Sequence, residues 1–236
     1  MSATHLHDSN AAPGGTGKAT AGGPTAPAGK PPTPSWRMIV TLAVAGAIAG
    51  LLIVTVHQWA EPRILANQAR VIAATIDEVL QGPASTVTLY MNDGALVTAP
   101  PAGQDTMKLE RVWAGYDGNG RLIGYALMAG EPGFQDVIRI MFGYDLAADR
   151  VLGMRVLESK ETPGLGDLIE KDSVWVAQFD AAGVPLIQTK PGGGTGDPRE
   201  VETITGATIS SRVVIGTINR RIEQMRPLLQ QVGGGQ

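Results

Sequence analysis

Apolar positions along this chain change period several times, and each change predicts an element. From 38 to 56 the run Met-Ile-Val-Thr-Leu-Ala-Val-Ala-Gly-Ala-Ile-Ala-Gly-Leu-Leu-Ile-Val-Thr-Val carries no charge. As a helix it spans roughly 28 Å, close to the hydrocarbon thickness of a bilayer. Trp36 and Trp59 flank it, as interfacial aromatics do. The run is too long, starts too late and lacks a small-x-small site, all of which disfavour a cleaved signal peptide. From 62 to 80 the pattern becomes amphipathic. Ile64, Leu65, Ile72, Ile76, Val79 and Leu80 keep helical spacing, and Gln68 is the polar exception on that stripe. Pro62 suits the first turn of such a helix, and Gly82-Pro83 ends it.

Strand-like runs follow at 86–91, 111–116, 121–128, 136–142 and 150–157. Asp117-Gly118-Asn119-Gly120 predicts a hairpin between the second and third, and a turn at 145–149 joins the last two. A short helix is expected at 173–179 and a Gly-rich loop at 190–198. A last helix runs over 210–230, with Val214, Ile218, Ile222, Met225 and Leu229 on one face. This order predicts an α+β fold: a single N-terminal transmembrane helix followed by one mixed α/β domain. Residues 1–35, rich in Gly, Pro, Ala and Thr, bury too little apolar surface to fold and read as a disordered tail. The expected organisation is therefore a tail at 1–35, a membrane helix at 36–59 and one domain at 60–236.

Charge orients the anchor. Lys18, Lys30 and Arg37 precede the apolar run and only Arg63 closely follows it, which places the N-terminus in the cytoplasm and the domain outside. Gly46 and Gly50 form a Gly-x-x-x-Gly pair suited to close helix approach in the bilayer. The net charge of −3 gives no basis for binding nucleic acid. Arg220, Arg221 and Arg226 read as a solvated helix face. The chain has no cysteine, and His5, His7 and His57 all lie before the domain. A thiolate nucleophile, a Ser-His-Asp triad, a His-ligated zinc and a His general base are thereby excluded from it. Chemistry there comes from carboxylates, hydroxyls, backbone or a bound cofactor.

Three segments are candidates for that chemistry. Glu161-Thr162-Pro163-Gly164-Leu165-Gly166-Asp167 makes an irregular turn after a strand, and its glycines let a flat ligand approach the main chain. An ordinary strand-to-helix connection has the same composition. In Glu202-Thr203-Ile204-Thr205-Gly206-Ala207-Thr208-Ile209-Ser210-Ser211, hydroxyls and small residues crowd a helix N-terminus, where free amides and the helix dipole favour a phosphate. N-capping by Ser210 or Ser211 accounts for the same residues. Pro191-Gly192-Gly193-Gly194-Thr195-Gly196-Asp197 lacks the Gly-Lys-Ser/Thr ending of a phosphate loop and reads as a flexible surface loop.

The N-terminal anchor, Glu-Thr-Pro-Gly-Leu-Gly at 161–166 and Thr-Gly-Ala-Thr-x-Ser at 205–210, in this order, resemble the G subunit of the Rnf electron-transport complex. The C subunit of the sodium-pumping NADH:quinone reductase shares that family's FMN-binding domain. The similarity covers 36–230, and 133–144 followed by 151–159 resembles the family's core. In the family motif Asp-x-x-Ser/Thr-Gly-Ala-Thr, the last Thr is esterified to the phosphate of FMN. The resemblance therefore implies covalent FMN on Thr208, with Thr205, Gly206 and Ala207 completing the motif and Glu202 standing at the Asp position. It also implies Thr162, Gly164, Leu165 and Gly166 as flavin contacts, and neither a metal nor catalytic acid–base residues.

The implied function is electron transfer within an ion-translocating ferredoxin:NAD oxidoreductase complex of the inner membrane, with the FMN domain periplasmic. The implied partners are other membrane, iron–sulfur and flavin subunits, a flavin transferase for maturation, and the lipid bilayer. The competing readings are the quinone-reductase C subunit, a cofactor-free anchored scaffold domain, and a free-standing FMN reductase. The last is opposed by the lack of a Gly-x-Gly-x-x-Gly nicotinamide fingerprint.

Overall fold

The computed structural model describes residues 35–101, 103, 106 and 109–233. The tail expected at 1–35 lies outside them except for Ser35, where the first helix, α1 (Ser35–Val79), begins. The chain divides after Gln58 into two compact units. In the first unit the apolar side chains of α1, among them Leu42, Leu51, Leu52 and Ile53, are all exposed. Among the described residues α1 is the one helix long and apolar enough to cross a membrane. Pro62 lies inside α1, so the amphipathic stretch is not a separate helix starting there. Pro62 removes one backbone donor, but His57-Gln58-Trp59-Ala60-Glu61 contains no glycine or turn former at which the chain could leave the helix. The stop read at Gly82-Pro83 is observed: Gln81 and Gly82 adopt left-handed backbone at φ 60° and 77°.

The second unit continues with β1 (Ser85–Asn92), β2 (Ala95–Val97), β3 (Arg111–Tyr116), β4 (Leu122–Pro132), β5 (Val137–Asp145) and β6 (Arg150–Glu158). These form one antiparallel sheet in the order β2-β1-β3-β4-β5-β6. The hairpin predicted at 117–120 joins β3 to β4; the Asp117 carboxylate accepts the amides of Asn119 and Arg121, both at 2.9 Å. Two short helices follow, α2 (Leu168–Lys171) and α3 (Ser173–Ala177), then β7 (Ile187–Thr189) and β8 (Glu200–Glu202), which pair in parallel. The last element is α4 (Thr208–Gly233).

Period-two alternation sorts the sheet into two buried faces. Val112, Ala114, Tyr125, Leu127, Ile138, Ile140, Phe142 and Tyr144 join one core with Val214, Ile218, Ile222, Met225 and Leu229 of α4, the stripe read from the sequence. Trp113, Ala126, Met141 and Leu152 point to the other face, where Ile76, Val79 and Leu80 cover them. The expectation that Arg220, Arg221 and Arg226 form a solvated face holds at Arg220, which is exposed, and is corrected at Arg221. Each is ion-paired, to Glu131, Glu110 and Asp149 respectively, and the Arg221 side chain is only 12% exposed. From the helix they reach Glu131 at the end of β4, Glu110 just before β3 and Asp149 in the turn before β6.

Candidate functional site

The fold brings the first two candidate segments together. The segment 161–167 leaves β6, and Glu161 turns inward to 6% exposure. Its Oε1 accepts the amides of Phe134 (2.9 Å) and Gln135 (3.1 Å) from the turn between β4 and β5, and its Oε2 accepts the hydroxyl of Ser210 (2.9 Å) from the first turn of α4. Two glycines make room for this side chain. A Cβ on Gly133 would lie 2.6 Å from Ile138 Cδ1 and closer still to Glu161 Oε1; one on Gly166 would lie 2.6 Å from both Glu161 Cβ and Oε2. Past Glu161 the loop folds on itself: the amides of Leu165 and Asp167 donate to the Thr162 carbonyl, and the Gly164 amide donates to Asp167 Oδ1 at 2.7 Å. The Lys171 ammonium beside Asp167 holds its carboxyl below the usual range against the opposing effect of burial.

The segment 202–211 is anchored at its start by Trp175, whose indole donates to the Glu202 carbonyl at 2.7 Å. Gly206, at φ 87°, lets the chain turn sharply into α4, which begins at Thr208. Because the helix starts there, Ser210 and Ser211 lie inside it and neither caps it, which corrects the capping alternative. Ser211 is fully buried; its hydroxyl donates to the Ala207 carbonyl (2.9 Å) and accepts the Ile204 amide (3.3 Å). The amides of Thr208, Ile209 and Ser210 find no acceptor among the described residues. The Thr208 hydroxyl is half-buried and donates to the Ile204 carbonyl at 3.2 Å. A helix N-terminus with three free amides and an adjacent hydroxyl is suited to a phosphate group.

Leu165 lies over the turn: a Cβ on Gly206 would contact its Cδ2 at 3.4 Å. Leu165, Ile209 and Phe134 are 50%, 52% and 65% exposed; Leu165 and Ile209 lie at this turn, and the Phe134 amide is tied to it through Glu161. Thr205 and Gly206 are exposed and Thr162 is half-buried, whereas Ala207 packs into the core and Gly166 is taken up by Glu161. Sequence reasoning assigned no role to Glu161, Phe134 or Ile209; an acid in a Gly/Pro turn has the look of a solvated residue. The third segment is a loop, as read, but a tied one: Glu200 accepts the amides of Thr195 and Gly196 and the Thr195 hydroxyl, and Glu202 accepts the Gly192 amide. The Thr195 hydroxyl and amide hold the Glu200 carboxyl below its ordinary range, and the amides of Gly192, Gly193, Thr195 and Gly196 are already used within the loop. Two cavities, about 460 Å³ beside Arg220 and Arg221 and about 890 Å³ between the end of α1 and the sheet, have no lining residue in 161–167 or 202–211.

The FMN-binding domain family matches residues 133–223, a span that contains both segments. The chain is 32% identical to the G subunit of the ion-translocating oxidoreductase complex of Pectobacterium atrosepticum, over 83% of this chain and 92% of the relative. It is 30% identical to the corresponding G subunit of Photorhabdus laumondii, over 77% and 85%, and 26% identical to that of Methanosarcina acetivorans, over 79% and 92%. Its fold is similar to the crystal structure of Shewanella oneidensis NqrC, with a TM-score of 0.58 and 16% identity over 70% of this chain and 99% of that one.

Proposed function

The chain belongs to the family of G subunits of ion-translocating oxidoreductase complexes, and on that premise we propose that it carries FMN esterified to Thr208 and passes electrons within such a complex. The observation that carries the reading is the exposed start of α4, where Thr205-Gly206-Ala207-Thr208 meets three amides without acceptors. The residues present fit a phosphate ester: Gly206, at φ 87°, turns the chain into α4 beside Leu165, and the helix N-terminus favours the remaining negative charge. Leu165, Phe134 and Ile209 supply apolar surface for a flat ring, and Thr162 and Gly164 border it through the loop. Bound FMN supplies exchange of one or two electrons, and the protein's part is to hold it and set its electrostatic surroundings.

Thr208 has no activating base. Its hydroxyl bonds to a carbonyl oxygen, and the domain has neither His nor Cys. Attachment therefore falls to a separate flavin transferase drawing on FAD, with AMP as the other product. A covalent bond frees the protein from dependence on free flavin outside the cytoplasm. Residues 36–59 anchor it in the inner membrane, with the tail cytoplasmic and 60–236 periplasmic, as Lys18, Lys30 and Arg37 before the apolar run indicate. The remaining subunits of the complex, including those bearing iron–sulfur centres, are its electron donor and acceptor.

The test is co-expression with a flavin transferase, followed by a denaturing gel viewed under ultraviolet light and mass analysis of the Thr208 peptide. Wild type fluoresces and Thr208→Val is dark. A dark wild type refutes covalent FMN. Fluorescence in Thr208→Val moves the ester to Thr205, the exposed hydroxyl of the turn, rather than to Ser210, which is 2% exposed and engaged by Glu161.

A further inference from the structure

We propose that Glu161 is a positioning residue of this site whose buried negative charge holds down the reduction potential of the flavin; the proposal rests on the reading of FMN at Thr208. Three segments distant in sequence are shaped around this one carboxylate. The amides of Phe134 and Gln135 and the hydroxyl of Ser210 all donate to it, a set of donors that suits an acceptor-only carboxylate. Gly133 and Gly166 are the residues whose lack of a Cβ leaves it space.

No cation among the described residues pairs with it. Lys160, its neighbour in the chain, pairs with Asp136 and Glu158, and Lys171 pairs with Asp167. Neutral donors offset part of the carboxylate's field but leave its net charge in place, and a buried charge is screened far less than an exposed one. Ser210, which it grips, lies in the same helical turn as Thr208. Each electron added to a flavin held at that turn meets a fixed negative charge close by. Like charges oppose one another, so reduction is disfavoured and the potential falls.

The experiment uses the full-length protein in detergent, flavinylated by co-expression, and compares midpoint potentials of wild type, Glu161→Gln and Ser210→Ala by spectroelectrochemical titration. The mass of the Thr208 peptide is taken first in each. Glu161→Gln keeps the side-chain length and an acceptor for the Phe134 and Gln135 amides while its NH2 meets the Ser210 oxygen; it removes the charge and little else. Its potential moves positive. Ser210→Ala keeps the charge and removes one compensating donor, so its potential moves negative.

A purely structural role for Glu161 predicts no movement in a folded, flavinylated Glu161→Gln protein. An unchanged potential there, or shifts of the same sign in both variants, overturns the proposal alone. Should Glu161→Gln fail to fold, Ser210→Ala decides by itself: an unchanged or positive shift overturns the proposal. Flavin absent from the wild-type peptide overturns the assignment of FMN, and this proposal with it.

Discussion

Replacing Ser211 by alanine isolates the contact that ties the turn at 204–207 to α4. The Ser211 hydroxyl donates to the Ala207 carbonyl at 2.9 Å and accepts the Ile204 amide at 3.3 Å, with the residue fully buried. The two losses are unequal. The Ala207 carbonyl keeps a partner, because the Ser211 amide also donates to it at 2.9 Å. The Ile204 amide has no second acceptor among the described residues, and Ile204 is only 9% exposed. A buried donor left unpaired costs about 1–3 kcal/mol. Alanine is the better helix former by about 0.5 kcal/mol, which offsets part of that. The expected net loss is about 1.5 kcal/mol, roughly a tenfold shift in the folding equilibrium.

Urea unfolding of the full-length protein in non-ionic detergent, followed by tryptophan emission, measures it. Trp175 is a suitable reporter, being buried and bonded to the carbonyl of Glu202 at the start of this segment. Hydrogen exchange at 204–208 is also expected to quicken, since the lost bond is local. A midpoint unchanged from wild type, with unchanged exchange at Ile204, refutes the idea that Ser211 holds the turn at 204–207 in place.

Gly133→Ala should lower stability by about 1–3 kcal/mol, because its Cβ intrudes on Ile138 and Glu161, while Gly118→Ala, with open space around it, should stay within about 0.5 kcal/mol of wild type; the same urea titration reads both. Ile218→Ala opens a cavity in the fully buried stripe of α4 and should cost about 2–5 kcal/mol, seen as a lower unfolding midpoint. For pH, burial pushes the Asp149 carboxyl up, but hydrogen bonds from Arg226 and from the Tyr144 hydroxyl, each at 2.7 Å, carry it below its ordinary value. A folded pKa below the unfolded one gives stability that is present above the unfolded pKa, about 3.9, and lost as pH falls through the folded one. Melting temperature should therefore drop less steeply in acid for Arg226→Met than for wild type, the difference between the two curves isolating this carboxyl from the others; parallel curves would refute the linkage.

Much of the fold is legible in the chain because its elements carry a period. Strands β3 to β6 alternate between two apolar faces, and α4 repeats Val214, Ile218, Ile222, Met225 and Leu229 along one side. Where no period exists, reading fails for physical reasons. At three residues each, β2, β7 and β8 are too short to alternate, and they exist because a neighbouring strand supplies the hydrogen bonds. At Pro62 a residue preference pointed to a helix start, and the continuous helix on both sides prevailed over it.

The site divides along the same line. Its hydroxyls, small residues and glycines are local features, so 161–167 and 202–211 stand out in the amino-acid sequence by themselves. What joins them is not local. Glu161 and Ser210 are 49 residues apart, and their hydrogen bond is set by the packing of β6 and α4 on one sheet. The glycines on either side of that bond then take on a meaning no turn rule contains: Gly133 and Gly166 are small so that one carboxylate fits between the segments, not so that either segment bends. The local features of the proposed site can thus be read from its own residues, while the residue that joins its two segments is silent until the chain is folded. That asymmetry is why a charge-removing change at Glu161 is more informative about this site than a change at any residue the motif itself displays.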